Sequence, residues 1–257
     1  AFFFKPSARS GPVSAKRIMR DFMPSGGPAQ AGFLFPDITQ AEPDGLLGAL
    51  DELNPAAVWV GGCPAGNSSK EPTYQAANGE AGTRGISGLC LSGDFRPFVG
   101  VGQGCIPIGK THIITEAEDN VIIKLDGKPA YDRILELAKS TKLPQPQDPH
   151  AWIFLAFAAD VKSKTFPKDG YYVRNILGVD PSKGIIAVAA HVQKGQRVSF
   201  ALRDPGMAKT DMKNVLQGLK KNLPGPVRFG LYFNCCARGR SLYQSSGVDT
   251  ALIEKEL

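Results

Sequence analysis

Val227-Arg228-Phe229-Gly230-Leu231-Tyr232-Phe233-Asn234-Cys235-Cys236-Ala237-Arg238-Gly239-Arg240-Ser241-Leu242-Tyr243 is the stretch around which the chain is organised. Val227 to Tyr232 is rich in β-formers and bounded by Pro226, which predicts a short buried strand. Cys-Cys-Ala-Arg-Gly-Arg then begins where that strand emerges. Gly-bearing loops at strand ends are where rigid scaffolds present side chains and backbone N–H groups to ligands. Arg238 and Arg240 can each offer a planar fork to a carboxylate or phosphate, and Gly239 permits close backbone approach and a positive φ. The other reading of the same spacing is a surface loop whose arginines pair with local acids.

Working outward, Val198-Ser199-Phe200 predicts a strand and Asp204-Pro205 a helix cap and first turn. Met212, Val215, Leu216 and Leu219 fall on one helical face. The same order opens the chain: a strand from Phe2, a break at Ser10-Gly11-Pro12, a helix through Ile18, Met19 and Phe22, and a strand at Gly32-Phe33-Leu34-Phe35. Under one shift of 198 residues (233 minus 35), Phe2 meets Phe200, Lys5 meets Arg203, Ile18 meets Leu216, Pro28 meets Pro226 and Gly32 meets Gly230. This reads as an internal duplication, with chance matching of two strand-helix-strand units as the competing explanation. The chain thus has two Gly-bearing strand ends, Gly61-Gly62-Cys63 and Cys235-Cys236-Ala237-Arg238-Gly239.

Between these units, Leu46, Leu47, Leu50 and Leu53 predict a short amphipathic helix, Val58-Trp59-Val60 a strand, and polar residues 67–84 a mobile loop suited to a lid. Residues 86–92, 96–103, 107–115 and 120–125 read as a meander of strands. Pro129 opens a helix with Tyr131, Ile134, Leu135 and Ala138. Strands are expected at 151–158, 171–178, 184–192 and 196–203, and a last helix at Val248, Leu252 and Ile253. The prolines of Leu143-Pro144-Gln145-Pro146-Gln147-Asp148-Pro149 cannot continue a helix or central strand. The expectation is therefore an α+β protein of two pseudo-duplicated halves, 1–142 and 150–257, joined by a linker at 143–149. Each half is a largely antiparallel sheet with covering helices, the two packed as one body. One continuous barrel-like or multilayer sheet built from both halves is the runner-up.

With 257 residues, 42% of them hydrophobic, the chain can bury a sizeable core. A net charge of +6 favours anionic partners, yet the lysines are scattered and no basic run is interleaved with aromatics, which argues against nucleic acid. Five cysteines without C-x-x-C spacing argue against a disulfide framework or structural zinc and suit a reducing cytoplasm. The longest strongly apolar run, Ala151 to Ala159, is far short of the roughly 20 residues a membrane helix needs. Ala1 without a preceding methionine reads as a fragment or processed chain, with a truncated N-terminal half.

Gly104-Cys105-Ile106-Pro107-Ile108-Gly109-Lys110-Thr111 matches the P-loop letter for letter, but strand-like His112-Ile113-Ile114-Thr115 follows where the phosphate-facing helix must begin, so nucleotide hydrolysis is rejected. His112, His150 and His191 are the only histidines; two read as strand-end residues, one as solvated beside the linker, and none marks a haem site. A thiol enzyme using Cys235 or Cys236, activated by Arg238 and Arg240, lacks a local histidine base. Arg174, alone among apolar strand residues, must be exposed, paired or part of a pocket wall.

From Phe233 through Ser245-Ser246-Gly247-Val248-Asp249 the sequence resembles the terminal motif of the FIST family. Tyr171-Tyr172-Val173-Arg174-Asn175-Ile176-Leu177-Gly178-Val179-Asp180-Pro181, Gly195-Gln196 and Phe200-Ala201-Leu202-Arg203-Asp204 resemble the rest of its C-terminal half. Val60-Gly61-Gly62, Gly88-Leu89-Cys90-Leu91-Ser92-Gly93 and the run from Gln103-Gly104 to Pro129-Ala130 resemble its N-terminal half. The resemblance covers most of residues 32–257; Gln244 stands where the family usually has glycine. It implies a sensory domain of bacterial signalling and F-box proteins that binds small ligands, amino acids among them, with haem in some members. The resulting expectation is a cytoplasmic, non-catalytic module for a small anionic or zwitterionic metabolite, signalling through a partner protein in trans. The ligand-binding residues expected are Gly62, Cys63, Arg174, Asp180, Arg203, Asn234, Cys235, Arg238, Gly239 and Arg240, with no metal. A haem gas sensor, an adaptor of the F-box-associated type and a thiol enzyme are the alternatives.

Overall fold

The computed structural model describes residues 1–7, 10–24, 29–38, 42–64, 73–141, 153–160, 163–167, 170–235 and 237–257. The fold is mixed α+β, with sheets that are antiparallel except for one strand pair. Two compact units form: Ala1–Val99 with Arg228–Asn234, and Gly100–Val227 with Cys235–Leu257. The proline-rich stretch 143–149 lies outside the described residues. The compact units part at Val99/Gly100, and strands from both sides of 143–149 share one sheet.

In the first unit, β1 (Phe2–Phe4), β2 (Ala31–Pro36), β3 (Val58–Gly61) and β6 (Ile86–Leu91) form a sheet in the order β1-β6-β2-β3. β2 and β3 run parallel because α2 (Pro43–Leu53) crosses between them. α1 (Gly11–Asp21) and α2 cover one face: Ile18, Leu46 and Leu50 join Phe2, Phe4, Leu34 and Ile86 in a buried core. Each such aliphatic side chain contributes about 1.5–3 kcal/mol when fully buried. Residues 74–83, expected as a loop, form a hairpin of β4 (Tyr74–Ala77) and β5 (Glu80–Thr83). Asn78 and Gly79 turn it with φ of 52° and 79°, the positive pair that a two-residue hairpin turn demands.

The second unit is built on β7 (Ile106–Glu118), β8 (Val121–Leu125), β9 (Lys128–Pro129), β10 (Ile153–Ala158), β11 (Tyr171–Asp180), β12 (Ile185–Val188) and β13 (Arg197–Leu202). Their order is β12-β11-β10-β13-β7-β8-β9, and β12 also pairs with β8 through Ile186↔Ile122 and Ala187↔Val121. Six strands thus close into an antiparallel barrel within this unit. Register shifts in the pairings of β7 with β13 and β8, and of β11 with β12, bend the strands enough to close. β10 is buried on both faces: Ile153, Leu155 and Phe157 enter the main core with Ile114, Ile122, Leu125, Ile186, Val188, Val198 and Phe200. Phe154 and Ala156 face the other way, with Cys105 and Ala201. α3 (Ala130–Ser140) adds Ala130 and Ile134 to the main core. α4 (Pro205–Asn222), α5 (Arg240–Tyr243) and α6 (Val248–Glu256) complete the unit.

Two expected strands are corrected. Residues 96–103 carry Pro97, Gly100 and Gly102 and form no ladder. Val227–Phe233 is neither strand nor buried: Phe229 is 63% and Leu231 58% exposed, and the segment from Arg228 to Asn234 belongs to the first unit, where Phe233 meets the rings of Phe33 and Phe35. β1–α1 and β13–α4 keep the strand-helix order of the expected repeat, while the counterpart of β2 lacks a ladder.

Exposed Gln244 closes α5 in the left-handed region, with φ 57° and ψ 11°, where a side chain is strained and glycine is not. Gln244→Gly is expected to raise stability by up to about 1 kcal/mol in urea unfolding. A lower midpoint would contradict the strain reading.

Candidate functional site

β13 and β7 pair with Leu202 opposite Ile106, so Arg203, just past β13, abuts residues 103–105, just before β7. Around that segment the second unit gathers its charged side chains. Gln103 lies along β11: its amide nitrogen donates to the Tyr171 carbonyl at 3.2 Å, and its amide oxygen accepts from Val173 N–H at 3.2 Å. α4 is anchored by Asp204, whose Oδ1 accepts from Gly206 and Met207 N–H at 2.8 and 3.0 Å, as the cap reading required. Two turns on, Asp211 Oδ2 accepts from Gly104 N–H at 2.9 Å. Gly104 has φ 67°, and a Cβ there would stand 2.5 Å from Arg238 Nη1, so both backbone conformation and close approach demand glycine.

Arg238 spends its fork on its own chain. Nε and Nη2 donate to Asp249 Oδ2 and Oδ1 at 2.9 and 2.8 Å, with side chains only 10% and 5% exposed. Nη2 also donates to the Tyr243 hydroxyl at 2.7 Å, which donates to Asp249 Oδ1 at 2.8 Å. This is a buried, bidentate, hydrogen-bonded pair, the geometry in which such pairs are strongest.

Arg203 is different. It is half-buried, its guanidinium carbon lies 4.5 Å from the Phe154 ring centre, and its charge reaches the Cys105 thiol. Among the described residues it has no carboxylate partner. Burial pushes the Cys105 thiol up, against the pull of Arg203 and Arg238, so the sulfur stays protonated and unreactive at neutral pH.

The other expected site residues fall as follows. Gly62, Cys63 and Asn234 are exposed in the first unit. Gly61, beside them, approaches the Leu34 carbonyl too closely for any Cβ, which accounts for a glycine there without a ligand. Desolvation, with Asp37 and Asp44 adding, raises the Cys63 thiol pKa, the reverse of an activated thiolate. Asn234 accepts from Tyr232 OH at 3.1 Å. In the second unit Cys235 is exposed, and its carbonyl accepts from Arg238 N–H at 2.9 Å. Cys236 lies outside the described residues. Gly239 has φ 66°, and its carbonyl accepts from Leu242 and Tyr243 N–H; Arg240 is exposed. Arg174 lies opposite Leu155, on the sheet face away from Phe154; it stacks over Tyr172 at 4.6 Å and donates to the Val173 carbonyl at 3.1 Å. Asp180 caps its own turn, accepting from Ser182 and Lys183. Of the expected residues, Arg203 and Arg238 with Gly239 therefore come together; Arg174 and Asp180 do not join them. Gln103, Phe154, Asp211, Tyr243 and Asp249 were missed as partners. Asp249 closes the family motif, but nothing in the sequence marks it as buried.

A second charged cluster sits beside α3. His112 Nδ1 is 2.8 Å from Asp126 Oδ2, and its ring packs edge-on to Phe200. Arg133 spans Asp126 at 3.4 Å and Glu136 at 2.7 Å. Burial lowers the His112 pKa despite Asp126. The Asp126 carboxyl is also lowered: desolvation pushes it up, but the Ile113 N–H, His112 and Arg133 outweigh this. A haem asks for an axial histidine facing an apolar slot. His112 is buried with its ring packed edge-on to Phe200, His191 is exposed at the surface, and His150 lies outside the described residues, so neither described histidine faces an open apolar slot. Among the described residues no group of His, Cys, Asp or Glu is arranged to hold a metal, and no helix is long and apolar enough to cross a membrane.

Residues 3–128 match the FIST N domain and residues 129–257 the FIST C domain. The chain belongs to the FIST family, whose domains are sensory domains of signal transduction. An uncharacterized protein of Mycobacterium tuberculosis is 30% identical over 215 residues, covering 82% of this chain and 55% of that protein. An uncharacterized protein of Mycobacterium bovis is 29% identical over 203 residues, covering 79% and 52%. The chain thus spans about half the length of the curated relatives it matches. No solved structure matches it.

Arg238→Lys keeps the charge but loses the fork against buried Asp249, and should lower unfolding free energy by about 1–3 kcal/mol with no ligand present. An unchanged melting temperature would contradict the bracing role.

The pH dependence follows from two depressed groups. Below His112's ordinary value of 6.5 the unfolded chain takes up a proton that the folded chain resists, so stability should fall as pH drops through 6.5. Asp126 adds stability above 3.8 that is lost as pH falls through its lowered folded value. His112→Gln should flatten the loss that sets in below pH 6.5 while leaving the acid limb; an unaltered profile in urea unfolding would exclude His112 as its source.

Proposed function

We propose that this chain is a non-catalytic sensory module that binds a small metabolite bearing an anionic group, an amino acid or another anionic or zwitterionic molecule. Its output passes to a partner protein in trans, in the cytoplasm. The observation that carries this is Arg203: half-buried, seated on Phe154, and without a carboxylate among the described residues. A guanidinium removed from water on an aromatic face gains most from an anion supplied from outside. Arg238, by contrast, already holds a carboxylate, so the binding role falls on Arg203 with the Gly104–Cys105 backbone beside it. The free thiols of Cys63, Cys90, Cys105 and Cys235 suit a reducing compartment.

The adaptor reading is second, and one observation favours it. Phe229 and Leu231 alternate along an exposed segment of the first unit without a ladder, an apolar surface suited to a protein partner.

A thermal-shift screen with amino acids, dicarboxylates and phosphate separates the two. The parent's melting point should rise with one of them by mass action, and Arg203→Lys should weaken that response by about tenfold or more while barely moving the unliganded melting point. A parent that answers none of them puts the adaptor first.

A further inference from the structure

α6 is docked in an unusual way: its one buried residue is a carboxylate, Asp249. Val248, Leu252 and Ile253 are only half-buried, and among the described residues the hydrogen bonds of α6 to α4 lie at its far end, Gln217 Nε2 to Glu256 Oε2 at 3.4 Å and Lys220 Nζ to the Glu256 carbonyl at 2.7 Å. A helix held by apolar burial has no small-molecule competitor. A helix held by a carboxylate in an arginine fork has one, because any carboxylate fits the same fork.

We propose that the Arg238–Asp249 pair is a latch: Asp249 is an internal carboxylate in the fork of Arg238, and an anion competing for that fork frees α6. This rests on the reading of the Gly104–Cys105 segment as a binding site. Arg203 and Arg238 both act on the Cys105 thiol, and Arg238 Nη1 lies 2.5 Å from where a Gly104 Cβ would be, so an anion seated on Arg203 lies beside the latch. In either state Arg238 keeps an anionic partner, so neither leaves a buried guanidinium unpaired. Because the anion enters the fork only when Asp249 leaves, its binding energy shifts the helix equilibrium by that difference. Release uncovers Leu242, Tyr243 and Ala208, the apolar cluster against which Val248 packs, as a surface for the signalling partner.

Hydrogen exchange of the full chain tests this with Asp249→Ala and with acetate as the probe. Without acetate, the amides from Ala251 to Leu257 should exchange at least about tenfold faster than in the parent, while those of β10 and β13 stay unchanged. Acetate should then raise the variant's melting point by refilling the fork, yet leave α6 fast, since the new carboxylate is not attached to the helix. An α6 as slow as in the parent, acceleration of α6 and barrel together, or no effect of acetate on the variant would each overturn the latch. If Asp249→Ala does not fold, Asp249→Asn keeps the side-chain shape and is read by the same exchange criteria. The exchange arm uses no metabolite, so its failure is separate from a failure of Arg203 to bind one.

Discussion

β7 is the strand on which the second unit depends. Its first half pairs with β13 and its second with β8, and β8 in turn meets β12, so one chain segment carries the sheet round into a closed barrel. The bend is located where Ser199 faces Thr111 but Phe200 faces Ile108, with Gly109 at φ 70° in the gap. Closure removes two sheet edges and buries Ile114, Ile122, Ile186 and Val198 in one core. It also fixes the segment before β7, which places Cys105 with Phe154 and Ala201 and delivers Gly104 to Asp211.

At that segment two arginines have opposite circumstances. Arg238 is more deeply buried and fully engaged by Asp249 and Tyr243, so its removal leaves a buried carboxylate uncompensated. Arg203 rests on an aromatic face without a carboxylate among the described residues, and the binding role proposed for it rests on that difference. Two arginines of the family motifs therefore stand in different physical settings, one braced by a carboxylate and the other seated on an aromatic ring.

Much of this is legible in the sequence. The β-rich runs at 153–158, 171–180 and 197–202 and the Asp204-Pro205 cap of α4 stand where periodicity and capping chemistry put them. The P-loop match failed for the reason its surroundings supplied: Lys110 and Thr111 lie within β7 and open no helix. Strand closure was not readable, since the β8–β12 pairing joins residues more than sixty positions apart and leaves no local mark. Val227 to Tyr232 carries every strand preference and still lacks a ladder, because a strand needs neighbours that propensity cannot provide. Arg238 and Arg240 looked alike in sequence; only the burial of Asp249, eleven residues on, separates them.

The account stands most directly on the coupling between Arg238 and Asp249. A double-mutant cycle, Arg238→Met and Asp249→Asn singly and together, read by urea unfolding without ligand, isolates it. A buried, bidentate pair should give a coupling of about 2–5 kcal/mol, with the double variant far less unstable than the sum of the singles. Single effects that add to within about 0.5 kcal/mol would mean the two side chains do not depend on one another, and would contradict the division of roles between Arg238 and Arg203.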